Sequence, residues 1–244
     1  GEDVPAAFVF PDNWNRQVVL WIDGDGKSKL YDDAGKLIPA VAALVKAGYS
    51  IGSVDLLYTG EFTSDGRAIS EARIVDNPRE FAGYTLGYNH PLVAQRAHDI
   101  LTLITFAKHH QHQPEQVHLV GVNGAAPSLI PAAAIAGNAL SSVAVDTAGY
   151  RYASITDIRD VNLLPGAVKY GDLPGLAALI APVRLLLAGE TTEKNSVPVA
   201  AWAAANSASE LQFVQTLDSD SVVRWIQAAE YPDCMIFDEE VLIS

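Results

Sequence analysis

The chain has 244 residues, of which 49% are hydrophobic and 18% charged, and its formal net charge at pH 7 is −13. This charge argues against nucleic acid as a partner, because such binding depends on Lys and Arg neutralising phosphates. The single cysteine, Cys234, rules out an internal disulfide. No apolar run reaches the roughly 18 residues of a transmembrane helix, so no membrane insertion is expected. The N-terminus lacks the basic and apolar regions of a signal peptide.

Apolar segments without polar alternation recur along the chain, separated by segments with helical spacing. After a short edge strand stopped by Pro11, strands are predicted at residues 17–22, 49–54, 116–120, 142–145, 183–188 and 211–216. Helices are predicted at residues 36–47, 90–110, 129–137, 173–180, 198–206 and 221–230. Such strands are buried on both faces of a parallel sheet. The fold class is therefore α/β, a three-layer sandwich with a mostly parallel sheet of about six strands.

We expect one domain over residues 1–244, with its core at 17–228. Two irregular excursions, residues 56–89 and 147–172, interrupt the alternation of strands and helices. In parallel sheets, ligands bind at the carboxyl ends of the strands, so we expect the excursions to cover that edge. The candidate cleft residues there are Asp55, Tyr84, His90, Asp146 and Tyr152. For Asp55 and Asp146 we favour a role as helix caps or loop organisers.

The chain is organised around Gly121-Val122-Asn123-Gly124-Ala125, which joins an apolar strand to a helix of small residues. A strand, a sharp turn and a helix are the setting in which many hydrolases hold a nucleophile. Here the central residue is Asn123, and an amide cannot supply a nucleophilic anion. Asn also tolerates the left-handed backbone that such a turn requires, and we favour this explanation for its presence.

Three stretches resemble one known family: residues 18–24 (VVLWIDG), 116–126 (QVHLVGVNGAA) and 172–189 (DLPGLAALIAPVRLLLAG). They are similar to the α/β-hydrolase superfamily, and within it to the bacterial acetyl-xylan-esterase-like and dienelactone-hydrolase-like groups. The resemblance spans residues 17–228 and omits the family's first two antiparallel strands. It implies a domain excised from a longer protein, with a tandem catalytic domain and a carbohydrate as candidate partners. It also implies a periplasmic or secreted location.

The family's nucleophile and oxyanion positions carry over poorly. Asn123 replaces the nucleophile, and Ala125 replaces the last glycine of the elbow. Asp23, together with Gly24 and Gly124, falls in the oxyanion region, where its negative charge would repel a developing oxyanion. The resemblance therefore implies a vestigial nucleophile position and a vestigial oxyanion region.

The catalytic acid and the catalytic histidine of the family also match this sequence poorly. Glu190, with Glu193 as second choice, follows the fifth parallel strand, where the family has its acid. The histidine expected near residues 217–221 is missing, because no His follows His118. The resemblance thus implies a vestigial acid at Glu190, and no catalytic residue is expected.

The favoured hypothesis is a non-catalytic domain with a packing, regulatory or ligand-binding role. The alternative is an active carbohydrate or carboxyl esterase with a relocated triad, which requires a Ser–His hydrogen bond at the strand ends, with His90 as first candidate. A third hypothesis is a carbohydrate-binding module on the vestigial cleft, formed by Asn123 and the tyrosines of the excursions.

No cofactor and no metal site are expected. Residues 24–28 end in Gly-Lys-Ser like a phosphate-binding loop, but Trp21 stands where that motif needs its first glycine. A histidine cluster lies at and after the end of the predicted helix 90–110, at His109, His110, His112 and His118. This cluster is more typical of a solvated helix end, where imidazoles favour the negative end of the dipole.

Overall fold

The computed structural model describes residues 3–72 and 86–228. Within them, one sheet has the order β1-β3-β2-β4-β5-β6-β7, and every neighbouring pair except β1–β3 is parallel. The strands are β1 (Ala6–Val9), β2 (Gln17–Asp23), β3 (Ser50–Val54), β4 (Gln116–Val122), β5 (Ser142–Asp146), β6 (Arg184–Ala188) and β7 (Leu211–Val214). The predicted α/β class with a mostly parallel sheet is confirmed.

The count of about six strands becomes seven because the short edge strand joins the sheet. β1 pairs antiparallel with β3, with Ala6 opposite Val54 and Val9 opposite Ile51. The chain therefore has one antiparallel strand at this edge of the sheet. Pro11 follows two residues after β1, where its missing N–H cannot serve a longer strand.

Two helical layers enclose the sheet and complete the predicted three-layer sandwich. The α-helices are α1 (Pro39–Lys46), α2 (Leu92–His109), α3 (Ala126–Ala136), α4 (Asp172–Ala178), α5 (Ser196–Ala204) and α6 (Ser219–Gln227). α1 and α6 share one hydrophobic cluster with the sheet. α2, α3, α4 and Trp202 of α5 contribute to the cluster on the opposite face. The core is thus divided by the sheet into two halves.

The centre of the sheet positions the elbow. All seven residues of β2 are buried, and β2 is bonded to β3 on one side and β4 on the other. The register of β2 with β4 runs from Gln17 opposite Gln116 to Asp23 opposite Val122. The last residue of β2 therefore lies next to the residue that precedes Asn123.

Four helices begin earlier than predicted, and for two of them the local reason is clear. α3 begins at Ala126 rather than 129, because Pro127 is accommodated in a first helical turn. α6 begins at Ser219 rather than 221, because the Asp218 side chain accepts a hydrogen bond from the Ser221 N–H at 2.7 Å and caps the helix.

Candidate functional site

The elbow between β4 and α3 is a hydrogen-bonded turn. The Ala125 N–H donates to the Val122 carbonyl at 3.1 Å, and the two central residues, Asn123 and Gly124, have φ of 49° and 80°. Asn-Gly is the preferred dipeptide where both central residues need positive φ, because Gly has no Cβ and Asn tolerates the left-handed region. Backbone geometry is thus a sufficient reason for Asn at this position.

The loop after β2 lies against this turn. The Gly24 N–H donates to the Val122 carbonyl at 3.2 Å. A Cβ at Gly24 would lie 2.0 Å from the Asn123 carbonyl oxygen, so only glycine allows this approach. The structure therefore joins Gly24 and Gly124, predicted as one oxyanion region, through close contact of two backbones.

Asp23 and Asn123 are hydrogen-bonded to each other. Asn123 Nδ2 donates to Asp23 Oδ2 at 2.6 Å, and Asp23 Oδ1 accepts from the Asp25 N–H at 2.9 Å. Asp23 is 2% exposed, whereas Asn123 is exposed. Burial raises the pKa of Asp23 above its ordinary value, opposed by the hydrogen bonds from Asp25 and Asn123. A carboxylate thus stands directly beside the position of the elbow side chain.

Glu190 is enclosed by three side chains. Arg151 donates from Nη1 to Oε1 at 2.5 Å and from Nη2 to Oε2 at 2.8 Å. Thr147 Oγ1 donates to Oε1 at 2.9 Å, and Asn195 Nδ2 donates to Oε2 at 2.8 Å. Burial raises the pKa of Glu190, but the hydrogen bonds from Arg151, Asn195 and Thr147 outweigh it and hold the pKa below its ordinary value. Each carboxylate oxygen therefore has two donors.

These three partners of Glu190 were missed by the sequence reasoning. Arg151 lies 39 residues before Glu190, in the excursion after β5, and no local spacing links the two. A buried carboxylate requires compensation, so a cation or several donors near Glu190 could have been expected in general terms. Arg151 and Thr147 reach Glu190 because β5 and β6 are neighbours in the sheet, whereas Asn195 lies only five residues after Glu190.

Asp55 holds the loops after β2 and β3 together. It is 1% exposed, and its carboxylate accepts from the Lys27 N–H at 2.8 Å, from Lys27 Nζ and from the Glu61 N–H at 2.9 Å. Lys27 Nζ also donates to Glu61 Oε1 at 2.6 Å. The lysine of the Gly-Lys-Ser sequence is thus engaged by two carboxylates, and Asp55 has the contacts of a loop organiser.

Two of the remaining cleft candidates, Asp146 and Tyr152, each have a structural partner. Asp146 Oδ1 accepts from the Ala148 N–H at 2.9 Å and so closes a local turn. Tyr152 is 4% exposed and donates its hydroxyl to the Pro127 carbonyl at 2.6 Å, so it packs in the core instead of lining an open cleft. Burial raises the pKa of Tyr152. Tyr84 lies outside the described residues.

His90 is exposed and lines a separate cleft near the start of α2, of about 610 Å³, with Leu57, Tyr88, His98 and Asp99. A Ser–His hydrogen bond is present elsewhere in the molecule. His118 Nδ1 and Ser142 Oγ are 2.8 Å apart. Both residues are 0% exposed and lie near the amino ends of β4 and β5, away from the elbow, so a substrate cannot reach this pair.

Two features are absent from residues 3–72 and 86–228, the part of the chain that the structure describes. In these residues no three His, Cys, Asp or Glu side chains are grouped as a metal ion would require. Over the same ranges, no helix has both the length and the apolar character that crossing a bilayer demands.

No protein-family model matches this chain, and no curated protein is similar to it in sequence. Solved structures are similar in fold. A candidate acetyl xylan esterase from Bacteroides fragilis has a TM-score of 0.58 at 17% identity, over 86% of this chain and 62% of that one. A glucuronoyl esterase of carbohydrate esterase family 15 from Caldicellulosiruptor kristjansonii has a TM-score of 0.54 at 12% identity, over 92% and 72%.

A candidate dienelactone hydrolase from Klebsiella pneumoniae has a TM-score of 0.52 at 14% identity, over 93% of this chain and 91% of that one. These proteins share the α/β-hydrolase fold, and the chain has that fold. The resemblance to acetyl xylan esterases and dienelactone hydrolases is therefore confirmed as a likeness of fold. The chain spans 62% of the length of the Bacteroides structure.

Proposed function

We propose that this chain is a non-hydrolytic α/β-hydrolase-like domain of an acetyl-xylan-esterase-like protein, with a packing, regulatory or ligand-binding role. The observation that carries the proposal is the hydrogen bond of 2.6 Å between Asn123 Nδ2 and Asp23 Oδ2. In this pair an amide stands at the position of the nucleophile, and a carboxylate stands in the region that the resemblance assigns to the oxyanion donors.

The chemistry of this pair opposes acyl transfer in two ways. The nitrogen of the Asn123 amide is not nucleophilic, and loss of a triad nucleophile alone costs about 10⁶ in turnover. Oxyanion stabilisation needs hydrogen-bond donors aimed at the developing charge, and removing one donor costs about 10²–10³. Asp23 presents acceptors there instead of donors, so it would repel the oxyanion.

The surroundings of Glu190 support the same proposal. In a triad the acid orients a histidine through its ring N–H. Here the two oxygens of Glu190 accept from Arg151, Thr147 and Asn195, which leaves little capacity for an imidazole. The sequence has no His after His118 to supply one. The vestigial acid position is occupied by a structural ion pair.

The role that remains is binding, either to another part of a longer protein or to a ligand. The chain spans between 62% of the Bacteroides structure and 91% of the Klebsiella structure, and the first of these leaves room for a partner domain. The two carbohydrate-active esterases among the similar structures suggest xylan fragments as the first ligand to test. Such binding at the elbow would use the exposed Asn123 amide and would be weakened in Asn123→Ala.

The test is hydrolysis of p-nitrophenyl acetate by the purified chain, by Asn123→Ala and by a matched control, Asn206→Ala. Asn206 is also exposed and left-handed, with φ of 56°, but lies after α5. Equal rates near the buffer background are expected for all three proteins. A turnover that all three retain would mean that the nucleophile lies elsewhere and the chain is an esterase. A turnover lost only in Asn123→Ala would overturn the proposal at the elbow.

A further inference from the structure

We infer that an aromatic groove at the amino ends of β2 and β3 binds a small, mostly apolar molecule that carries a carboxylate. The groove has a volume of about 540 Å³, and Val18 and Ser50, near the starts of these strands, are among its lining residues. Its walls are β1 with the segment that follows, and the last turn of α2. Ligand pockets typically have volumes of about 300–1,000 Å³ and are lined mainly by apolar and aromatic side chains.

Six rings form a continuous arc around this groove. Successive ring centroids are 6.3 Å apart for Phe10–Phe8, 5.5 Å for Phe8–Phe106, 5.4 Å for Phe106–His110, 5.1 Å for His110–His112 and 6.3 Å for His112–Trp14. All six residues line the same cavity. Because each ring is supported by the next, the arc provides a preformed surface for a planar or aliphatic group.

Three phenylalanine side chains in this arc are exposed to solvent instead of being buried in the core. Phe10 is 68% exposed, Phe106 49% and Phe8 37%. Clusters of exposed aromatic residues on one surface mark binding sites more often than isolated apolar residues do. The groove is also remote from the elbow, since it lies at the opposite end of the strands from Asn123. Its occupant is therefore independent of any residual esterase chemistry.

The charge of the lining selects the ligand class. Among the described residues that line the groove none is Asp or Glu, although the chain contains 29 of them and has a net charge of −13. The imidazoles of His110 and His112, which follow the C-terminus of α2, line the groove and carry ring nitrogens that can donate hydrogen bonds. A ligand carboxylate can accept hydrogen bonds from these rings, whereas a ligand ammonium would find no counter-charge.

The polar content of the groove also argues against a sugar. Besides the two imidazoles, the lining contains the polar side chains of Ser50 and Gln111, with Trp14 contributing an indole whose N–H already donates to the Gln17 carbonyl at 2.9 Å. A sugar would leave most of its hydroxyls without partners against the phenylalanines, which costs free energy. An aryl or alkyl carboxylate requires only one polar end.

The experiment uses 2-naphthoate as the probe, with 2-naphthalenemethanol and 2-naphthylmethylamine as matched neutral and cationic probes. Trp14 is the reporter, because it is partly exposed while Trp21, Trp202 and Trp225 are 0–4% exposed. Saturable quenching of tryptophan fluorescence by naphthoate is expected, with weaker binding of the alcohol and the weakest binding of the amine. Trp14→Phe should lose the quenching and still bind naphthoate. Binding to this variant is therefore measured by calorimetry, which does not depend on the tryptophan.

Two variants and a control decide the outcome. Phe106→Ser is expected to weaken naphthoate binding by about tenfold, as for truncation of a central aromatic contact. Ile135→Ser removes an apolar side chain that is 71% exposed on α3 and should leave binding unchanged. His110→Phe should weaken binding of naphthoate and not of the alcohol. Absence of saturable binding, or equal affinity in Phe106→Ser and Ile135→Ser, would overturn the inference. The esterase assay is unaffected by either result.

Discussion

Arg151 donates hydrogen bonds of 2.5 and 2.8 Å to the two carboxylate oxygens of Glu190. Glu190 is the residue at which the α/β-hydrolase resemblance places the acid of a triad. The geometry is bidentate, which suits the planar guanidinium and makes the pair strong and directional. Glu190 is 6% exposed, so the pair is largely removed from solvent. It ties the excursion after β5 to the end of β6.

Arg151→Ala should therefore destabilise the fold, because it leaves a buried carboxylate without its cation. We expect a loss of about 2–3 kcal/mol in the free energy of unfolding, measured by urea denaturation at pH 7. Arg16→Ala is the matched control, since the Arg16–Glu115 pair is 2.8 Å long but its side chains are 56% and 64% exposed. That change should cost under about 1 kcal/mol. Equal losses in the two variants would contradict the prediction.

The buried His118 predicts a specific dependence of stability on pH. Burial lowers the pKa of His118 from 6.5 to about 3, helped by the charge of Arg184. Below pH 6.5 this histidine is protonated in the unfolded chain, whereas in the folded chain it stays neutral down to about pH 3. This contribution to stability is present above pH 6.5 and is lost as the pH falls through that window, by up to about 1.4 kcal/mol per pH unit.

Urea denaturation of the wild type and of His118→Gln between pH 6.5 and 4.5 measures this effect. Other titrating groups contribute equally to both proteins, so the difference between the two slopes isolates the histidine. The wild type should lose stability more steeply on acidification, whatever the offset between the proteins at pH 7. Parallel curves would show that position 118 contributes nothing to the pH dependence.

The contact between Gly24 and the elbow predicts a severe effect of a single methyl group. In Gly24→Ala the new Cβ would meet a backbone oxygen at 2.0 Å, which no rotamer change can relieve. We expect a loss of about 3 kcal/mol in thermal or urea unfolding. Gly66→Ala serves as the control, because its Cβ would meet nothing within 4 Å and only its φ of 72° is unfavourable. Gly66→Ala should lower the free energy of unfolding by only about 1–2 kcal/mol.

Restoring a hydroxyl at the elbow should not restore hydrolysis. Asn123→Ser supplies a nucleophile, but Asp23 would remain beside it and no imidazole is available at the Glu190 position. Turnover of p-nitrophenyl acetate should therefore equal that of Asn123→Ala. General-base assistance is worth about 10²–10⁴ in rate. A gain of that size in Asn123→Ser would show that a general base is present and would contradict the proposed non-hydrolytic function.

Local patterns were sufficient to predict the layers of the fold and the position of the elbow. The apolar run of β2, and that of β4 broken only by His118, imply strands buried on both faces, and hydrophobic spacing is a property of neighbouring residues. The Asn-Gly turn is equally local, because its positive φ values restrict which residues can occupy it. The short edge strand before Pro11 was predicted in the same way and is β1, although the count of about six strands left it out.

Side-chain partners were beyond the reach of such patterns. Arg151 meets Glu190 across 39 residues, and Lys27 meets Asp55 across 28, because the order of the strands brings their ends together. Tyr152 could be read as a cleft residue from its loop, yet the packing of that loop directs its hydroxyl to Pro127. Strand order and loop packing depend on how all layers share one core, so they are properties of the assembled chain and not of any one segment.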